Sequence, residues 1–267
     1  MALPDSYWDI VRPTYIENWP PELCRLSIAQ VDVPLTLAEA EAIGASMCEL
    51  YEMFPKPHMR DLTGIRKRVD EAVKKFPRGA FIRLGSRSPK DSAIAMHRSF
   101  RCRNGKEALE VILGVSERMM EDLLLALEMK YPPHVFLREW IDIPKWCEFR
   151  CFMRDRELVG VSQYHYFEWC PQAGKNRDGI RWAIDQFFPS FKEASHLDTV
   201  IFDVVVKHHG YIHPHERVRV SEWSVKLLEI NPFFEHTDPC LFDWRHGGDF
   251  DRTFRYLDEG KKTIKVQ

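Results

Sequence analysis

The sequence predicts an α+β fold with an antiparallel sheet. Helical periodicity and helix start signals dominate the first half of the chain, up to about Met129. From His134 onward the chain reads mainly as short strands, and two of them are joined through the polar turn 154–157 as a hairpin. This mixed order, with helices first and then strands with one helix inserted, indicates the α+β class with an antiparallel sheet.

The first half is interpreted from its capping signals. Thr36 with Glu39, and Asn104 with Glu107, each match a capping box, which places a helix start at both positions. The segment 53–61, rich in Pro and charged residues, interrupts the chain between helices. The predicted elements are a strand within 23–33, helices at 36–54 and 63–76, a strand at 79–84, a polar loop at 85–92 and a helical stretch at 104–129.

The second half is interpreted from period-two alternation and apolar runs. In the strand at 147–154, Phe149 and Cys151 fall on one face while Glu148 and Arg150 fall on the other. The predicted elements are strands at 135–140, 147–154 and 158–166, a helix at 180–188, strands at 200–206 and 223–232, and a final helix at 249–257.

Composition excludes several classes of protein. The 267 residues carry 38 Lys and Arg against 40 Asp and Glu, a net charge of −2, so a non-specific nucleic-acid binder is not expected. An aromatic fraction of 12% with a net charge near zero argues against disorder. The sequence contains no run of about 18 apolar residues, so no membrane span is predicted. With no signal-peptide pattern at the N-terminus and seven cysteines without a CxxC pair, we expect a cytoplasmic monomer with reduced thiols.

Asp203 is the most unusual position of the chain. It lies alone within the apolar strand 200–206, where a buried carboxylate is costly unless it is paired or bound to a metal ion. One explanation is an ion pair with an arginine. The other involves Glu229 and Asn231, which are two residues apart on a strand and therefore share a face. Together with Asp203 they form a set of oxygen donors suited to Mg²⁺ beside substrate phosphates.

Two arginines are candidates for binding the anion beside such a metal ion. Arg83 ends a strand and leads into a loop of small residues, whose backbone N–H groups either approach phosphates or form a solvated turn. Arg150 lies on the polar face of its strand, where a guanidinium either binds phosphate oxygens bidentately or pairs with Glu148 or Glu168.

A third segment, 138–141, ends a strand where the chain passes between two lobes. Its backbone can recognise an adenine edge while Trp140 and Ile141 pack against the ring.

Six sequence motifs are distributed along the chain: Phe81-Ile-Arg-Leu-Gly-Ser-Arg-Ser-Pro-Lys-Asp91, Leu137-Arg-Glu-Trp140, Glu148-Phe-Arg-Cys-Phe152, Leu158-Val-Gly-Val-Ser-Gln163, Val200-Ile-Phe-Asp203 and Leu228-Glu-Ile-Asn-Pro-Phe-Phe-Glu-His-Thr-Asp238. Together with Trp19-Pro20 and the opening segment 26–35, they resemble the cell division cycle protein 123 family of the ATP-grasp superfamily, as a distant or shortened member. The likeness covers nearly the whole chain.

The resemblance implies an ATP-grasp fold, with two α+β lobes whose antiparallel sheets enclose a nucleotide cleft. Its segments would be an N-terminal region at 1–78, a central lobe with the phosphate loop at 79–138 and a C-terminal lobe with the metal-binding strands at 139–267. By position, the implied roles are phosphate binding for Arg83, Ser86, Ser88, Lys90 and Arg150, a nucleotide-binding hinge at Arg138, Glu139, Trp140 and Ile141, and Mg²⁺ binding for Asp203, Glu229 and Asn231.

Two functions follow from a Mg-ATP cleft of this kind. The resemblance implies an ATP-dependent assembly chaperone that binds the gamma subunit of translation initiation factor 2, if the protein is eukaryotic. In that case the Trp-rich first 35 residues are a candidate partner patch. The alternative is an ATP-grasp enzyme, either a ligase acting through an acyl phosphate or a phosphotransferase. Its charge stabilisers would be Arg83 and Arg150.

A histidine cluster at 208–216 is interpreted as a solvated loop rather than a transition-metal site, because its spacing is unconstrained.

Overall fold

The computed structural model describes residues 7–48, 62–92, 94, 99–114, 116–208 and 223–267. The chain divides into two compact units: unit 1 comprises residues 1–17 and 29–141, and unit 2 comprises residues 18–28 and 142–267. The predicted breaker at 53–61, the end of the helix predicted to reach Phe54, and all of the histidine cluster except His208 lie outside the described residues. The three-segment division at 78 and 138 stays a prediction.

Both units combine helices with a sheet. The helices are α1 (Tyr7–Val11), α2 (Pro21–Arg25), α3 (Leu37–Cys48), α4 (Thr63–Val73), α5 (Gly105–Ile112), α6 (Glu117–Glu128), α7 (Pro171–Lys175) and α8 (Arg177–Ala194). The strands are β1 (Gln30–Pro34), β2 (Ala80–Leu84), β3 (Arg101–Cys102), β4 (His134–Glu139), β5 (Glu148–Arg154), β6 (Glu157–Gln163), β7 (Val200–His208), β8 (Trp223–Asn231), β9 (Phe254–Leu257) and β10 (Thr263–Val266). None of the described helices is long and apolar enough to cross a membrane.

Unit 1 contains an antiparallel four-stranded sheet in the order β1-β4-β2-β3. Alternation along β2 sends Ile82 and Leu84 into the hydrophobic core, while Arg83 falls on the opposite face. The same core contains apolar residues of α3, α4, α5 and α6, including Ile43, Ile65, Val69, Leu109, Ile112, Met119 and Leu123.

The capping box predicted at Thr36 is confirmed, and at Asn104 the predicted N-cap is confirmed while the Glu107 carboxylate accepts from the Arg103 N–H at 2.8 Å. The backbone N–H of Thr36 donates to Glu39 Oε2 at 2.9 Å, and the Glu39 N–H donates back to Thr36 Oγ1 at 3.2 Å. Asn104 Oδ1 accepts from the Glu107 N–H at 2.9 Å. The stretch predicted as one helix from Asn104 to Met129 is two helices, α5 and α6. Ser116 is the N-cap of α6, since its Oγ accepts from the Met119 N–H at 3.2 Å.

Unit 2 contains a six-stranded sheet in the order β10-β9-β6-β5-β7-β8. All neighbouring pairs are antiparallel except β6 and β9, which run parallel. The predicted hairpin of β5 and β6 turns through Asp155 and Arg156, whose positive φ values of 52° and 61° match a two-residue hairpin turn. Helix α8 covers one face of this sheet, where Phe191 stacks on Phe202 at a centroid distance of 3.9 Å.

Two predicted elements are wrong. The strand predicted over 23–33 begins instead as helix α2, since prolines at 20 and 21 favour a helix N-terminus, and only β1 is extended. The final helix predicted over 249–257 is strand β9, followed by β10. Arg252 adopts a left-handed φ of 66°, which interrupts a helix, and its N–H donates to Val159 O in the neighbouring β6.

Candidate functional site

A row of polar side chains crosses the sheet of unit 2 on the face opposite Phe202. Successive register pairs join Glu229 to Asp203, Asp203 to Arg150, Arg150 to Ser162 and Ser162 to Arg255. Directly paired residues share a face of a sheet, so these five side chains, here called the polar row, point to the same side.

Arg150 and Asp203 form a bidentate ion pair at the centre of the polar row. Arg150 Nε donates to Asp203 Oδ1 and Arg150 Nη2 donates to Asp203 Oδ2, both at 2.8 Å. The two residues are only 6% and 1% exposed. Of the two explanations left open by the sequence for Asp203, the arginine partner is therefore present. The pairing predicted as an alternative for Arg150, with Glu148 or Glu168, is not formed, since Glu148 contacts His165 and Glu168 contacts Lys145.

The other two candidate metal ligands lie beside this pair. Glu229 is the direct cross-strand partner of Asp203, and Asn231 Nδ2 donates to Asp203 Oδ2 at 3.3 Å. The described part of the chain contains no group of three or more His, Cys, Asp and Glu arranged to hold a metal ion. The candidate set is instead two carboxylates and one amide oxygen, a donor chemistry that fits Mg²⁺ when phosphates and water complete its shell.

Burial raises the pKa of Asp203, and Arg150 opposes that rise more than any other group. The negative charges of Glu229 and Glu148 raise the pKa further. The site thus concentrates carboxylates in a buried setting beside the Arg150 guanidinium.

A loop at 238–241 is fixed over the polar row by three hydrogen bonds. Arg150 Nη1 donates to Asp238 O at 2.6 Å, and Leu241 N–H donates to Ser162 Oγ at 3.1 Å. Arg255 Nη1 donates to Leu241 O at 3.0 Å. The loop lies shortly after β8, the strand that carries Glu229 and Asn231.

Ser162 and Arg255 were not among the sequence-predicted site residues. Hairpin alternation places Ser162 opposite Arg150, so that residue could have been found from the pairing of β5 and β6. Arg255 could not, because it joins the row only through the parallel pairing of β6 with β9, which nothing local in the sequence signals.

The remaining predicted site residues belong to unit 1. Arg83 is buried, and its Nε donates to the Leu84 carbonyl at 2.9 Å. In the following loop Ser88 is buried, Ser86 is half-buried and Lys90 is exposed.

Gly85 in this loop lies beside the carboxylate of Glu17, whereas the sequence suggested that the loop backbone approaches phosphates. A Cβ at this position would lie 1.6 Å from Glu17 Oε2, so the missing side chain makes room for a carboxylate. The backbone N–H of Gly85 donates to the His134 carbonyl at 2.9 Å. Glu17 accepts from the Tyr131 hydroxyl at 3.2 Å, and burial raises the pKa of Glu17. The space beside Gly85 is therefore filled from within unit 1.

The predicted hinge segment ends β4. Arg138 is buried, whereas Glu139, Trp140 and Ile141 are half-buried. The backbone N–H of Glu139 donates to Ala29 O at 2.8 Å and that of Trp140 donates to Gly79 O at 3.0 Å. Recognition of an adenine edge by this segment would therefore rely on groups other than these two N–H donors.

The aromatic residues proposed as a partner patch near the N-terminus are packed instead. Trp19 and Tyr15 are each 6% exposed, and Trp8 makes an edge-to-face contact with Tyr131. Among the large apolar side chains of the described residues, Phe167 is the most exposed at 73%, and Trp169 of the same loop is 40% exposed.

Comparison with known proteins identifies the family. The family model named D123 matches residues 45–259, which is most of the chain. The chain therefore belongs to the D123 family, as its motifs indicated.

Relatives and solved structures agree with this assignment. The chain is 27% identical over 186 residues to the translation initiation factor eIF2 assembly protein of Xenopus laevis, covering 66% of this chain and 51% of the relative. It is 30% identical over 176 residues to cell division cycle protein 123 of Phaeosphaeria nodorum, covering 61% and 42%. The chain thus spans about half the length of the curated relatives it matches.

The fold is shared with Cdc123 from Schizosaccharomyces pombe. That structure superposes with a TM-score of 0.69 at 19% sequence identity, covering 91% of this chain and 92% of the other. The predicted α+β class with two sheets is confirmed by this match and by the sheets themselves.

Proposed function

We propose that this protein uses an ATP-grasp fold to bind Mg-ATP and serves as a cytoplasmic, ATP-dependent assembly chaperone for translation initiation factor 2, through its gamma subunit. The observation that carries the nucleotide part is the grouping of Asp203, Glu229 and Asn231 beside Arg150 on one face of a sheet. In this proposal the three oxygen donors hold Mg²⁺ and Arg150 contacts phosphate oxygens.

The residues of unit 1 complete the proposal. Arg83, Ser86, Ser88 and Lys90 would add phosphate contacts, and the segment 138–141 would contact the base. These assignments come from the family resemblance. The assembly role is supported by relatives that are called eIF2 assembly proteins.

The nucleotide proposal is tested by calorimetry and thermal unfolding with Mg-ATP. A double variant Asp203→Asn, Glu229→Gln replaces both carboxylates by amides of the same shape, so the metal ligands lose their charge. Near-ultraviolet circular dichroism shows whether this variant keeps its fold without the Arg150–Asp203 ion pair. We expect wild type to bind and the double variant to lose at least about tenfold in affinity, in line with the loss of charged metal ligands.

The matched control for this experiment is Asp198→Asn, which removes a carboxylate that pairs with Arg156 on the surface of unit 2. It should bind Mg-ATP like wild type. Equal affinity of the double variant and wild type would contradict the metal assignment. If millimolar Mg-ATP does not raise the melting temperature of wild type, the nucleotide proposal is wrong.

The assembly role requires a surface for a protein partner, and we assign it to the exposed aromatic residues Phe167 and Trp169. The double variant Phe167→Ser, Trp169→Ser should bind Mg-ATP normally and lose co-purification with the gamma subunit. Leu124→Ser and Met129→Ser in unit 1, which remove exposed apolar side chains elsewhere, are the control pair. If ADP is released only when a small acceptor is supplied, the ATP-grasp enzyme is the correct function instead.

A further inference from the structure

We infer that Arg150 makes the metal site selective for a cation that arrives with a nucleotide and excludes the cation alone. This inference rests on the proposed Mg-ATP function and adds to it how the site discriminates between Mg-ATP and free divalent cations. The residue acts through its charge and through the position of its guanidinium.

The first observation is where the guanidinium lies. Its Nε and Nη2 donate to the two oxygens of Asp203, and its Nη1 donates to the carbonyl of Asp238. Arg150 therefore occupies the edge of the carboxylate and links it to the loop that follows β8. A cation approaching Asp203 meets a carboxylate whose charge is already balanced by an arginine that cannot lose its proton.

The second observation is the orientation of Asn231. Its side chain presents Nδ2, a donor, to Asp203 Oδ2, whereas a metal ligand must present Oδ1. This donation adds a third hydrogen bond to the Asp203 carboxylate, beside the two from Arg150. Arg150 is thus the cation that balances Asp203.

The third observation is the sign of the neighbouring charges. A bare divalent cation at this site is repelled by Arg150, because like charges within about 4–6 Å disfavour each other strongly in a buried setting. A nucleotide triphosphate reverses that sign, since its phosphates attract both the arginine and the metal ion. Arg150 should consequently oppose one ligand and favour the other, which a purely structural ion pair would not do.

The experiment compares Mn²⁺ alone with Mg-ATP on wild type and Arg150→Gln. Binding of Mn²⁺ is followed by the electron paramagnetic resonance signal of free Mn²⁺, and binding of Mg-ATP by calorimetry. Arg150→Gln should bind Mn²⁺ at least about tenfold more tightly than wild type and bind Mg-ATP at least about tenfold more weakly. Arg154→Gln, on the same strand outside the polar row, should leave both affinities within about twofold of wild type.

Two outcomes would overturn the inference: unchanged Mn²⁺ affinity in Arg150→Gln, or parallel weakening of both ligands. If Arg150→Gln does not fold by near-ultraviolet circular dichroism, Arg150→Lys decides, because it keeps the charge and loses the bidentate geometry. Its Mn²⁺ affinity should stay within about twofold of wild type, and a larger gain contradicts exclusion by charge.

Failure of the proposed function gives a different pattern. Tighter Mn²⁺ binding in Arg150→Gln, with no binding of Mg-ATP by any variant, would support the exclusion of bare cations and contradict the proposed binding of the nucleotide. Binding of Mg-ATP by wild type, with unchanged Mn²⁺ affinity in Arg150→Gln, would support the proposed nucleotide binding and contradict the selectivity assigned to Arg150.

Discussion

The two units treat their buried charges differently. In unit 2 the buried arginine Arg150 pairs with a fully buried acid from the next strand, at the centre of a row that crosses five strands. In unit 1 the buried arginine Arg83 donates to the backbone of the next residue, and the loop that follows it pairs Arg87 with Asp122 at its partly exposed side.

This difference indicates where each kind of sequence signal is informative. An acid inside an apolar strand must find a partner, so Asp203 pointed to a real cluster whose members come from several strands. A basic residue beside a loop can find its acceptors in the local backbone, as Arg83 does in the Leu84 carbonyl, and so does not require a cluster of side chains from several strands. The buried acid is therefore the stronger evidence of a site, and the comparison can be tested by removing charges in each unit.

The largest expected effect is that of Asp203→Ala. It leaves the Arg150 guanidinium buried without its carboxylate, which should lower the free energy of unfolding by about 3–5 kcal/mol. Asp122→Ala in unit 1 removes the partner of the more exposed Arg87 and should cost less, about 1–3 kcal/mol. Urea unfolding measures both, and hydrogen exchange of β5 and β7 amides localises the first loss to unit 2.

A rescue variant separates charge from packing. Arg150→Met combined with Asp203→Leu replaces the pair by apolar side chains of similar volume and should recover most of the stability lost in Asp203→Ala. A cost for Asp203→Ala below about 1 kcal/mol would mean that the pair is not desolvated, and the contrast between the units would fail.

The second prediction concerns Gly85, where unit 1 has a tight contact instead of a buried pair. Gly85→Ala pushes a methyl group into the space of the Glu17 carboxylate and should cost about 1–3 kcal/mol. The cost should disappear when Glu17→Ala is combined with it. Gly64→Ala in helix α4, whose Cβ meets its nearest atom at 3.5 Å, is the matched control and should be neutral or slightly stabilising. An equal cost with and without Glu17 would assign the effect to the backbone.

Much of the fold was predictable because its signals are local. The capping box at Thr36, the N-cap at Asn104, the hairpin turn at 155–156 and the alternation of β5 are each specified within a few residues. Strand β9 was mistaken for a helix because its extended form depends on parallel pairing with β6, about which the sequence near Phe254 carries no information.

In the candidate site, too, features set by local alternation were predictable and features set by strand pairing were not. Strand alternation was enough to place Glu229 and Asn231 on one face. Their position beside Asp203, and the choice of Arg150 as its partner, required the registers of β7 with β8 and with β5. The aromatic N-terminal residues were predicted to be exposed, but composition alone does not distinguish a packed Trp19 from a surface one.

The third prediction tests a contact that the sequence predicts locally, the N-cap of helix α5 in unit 1. Asn104→Ala removes the side-chain acceptor for the Glu107 N–H at the start of α5 and should cost about 1 kcal/mol. Asn176→Ala, which precedes α8 without forming a side-chain cap, is the control in unit 2 and should cost less. Equal costs in urea unfolding would show that the capping contact does not stabilise unit 1.

The smallest expected effect is a pH dependence in unit 1. His134 Nδ1 lies 2.8 Å from Asp32 Oδ1, and that hydrogen bond raises the pKa of His134 above its usual value of about 6.5, with Glu17 adding in the same direction. A raised histidine pKa gives stability that is fully present below about pH 6.5 and is lost as the pH rises through the folded-state pKa. Asp32→Asn should therefore destabilise the protein more at pH 5.5 than at pH 8.5, by a small amount because Asp32 is largely exposed. Urea unfolding at the two pH values measures the difference, and a gap between wild type and Asp32→Asn that does not change with pH would show that Asp32 does not raise the pKa of His134.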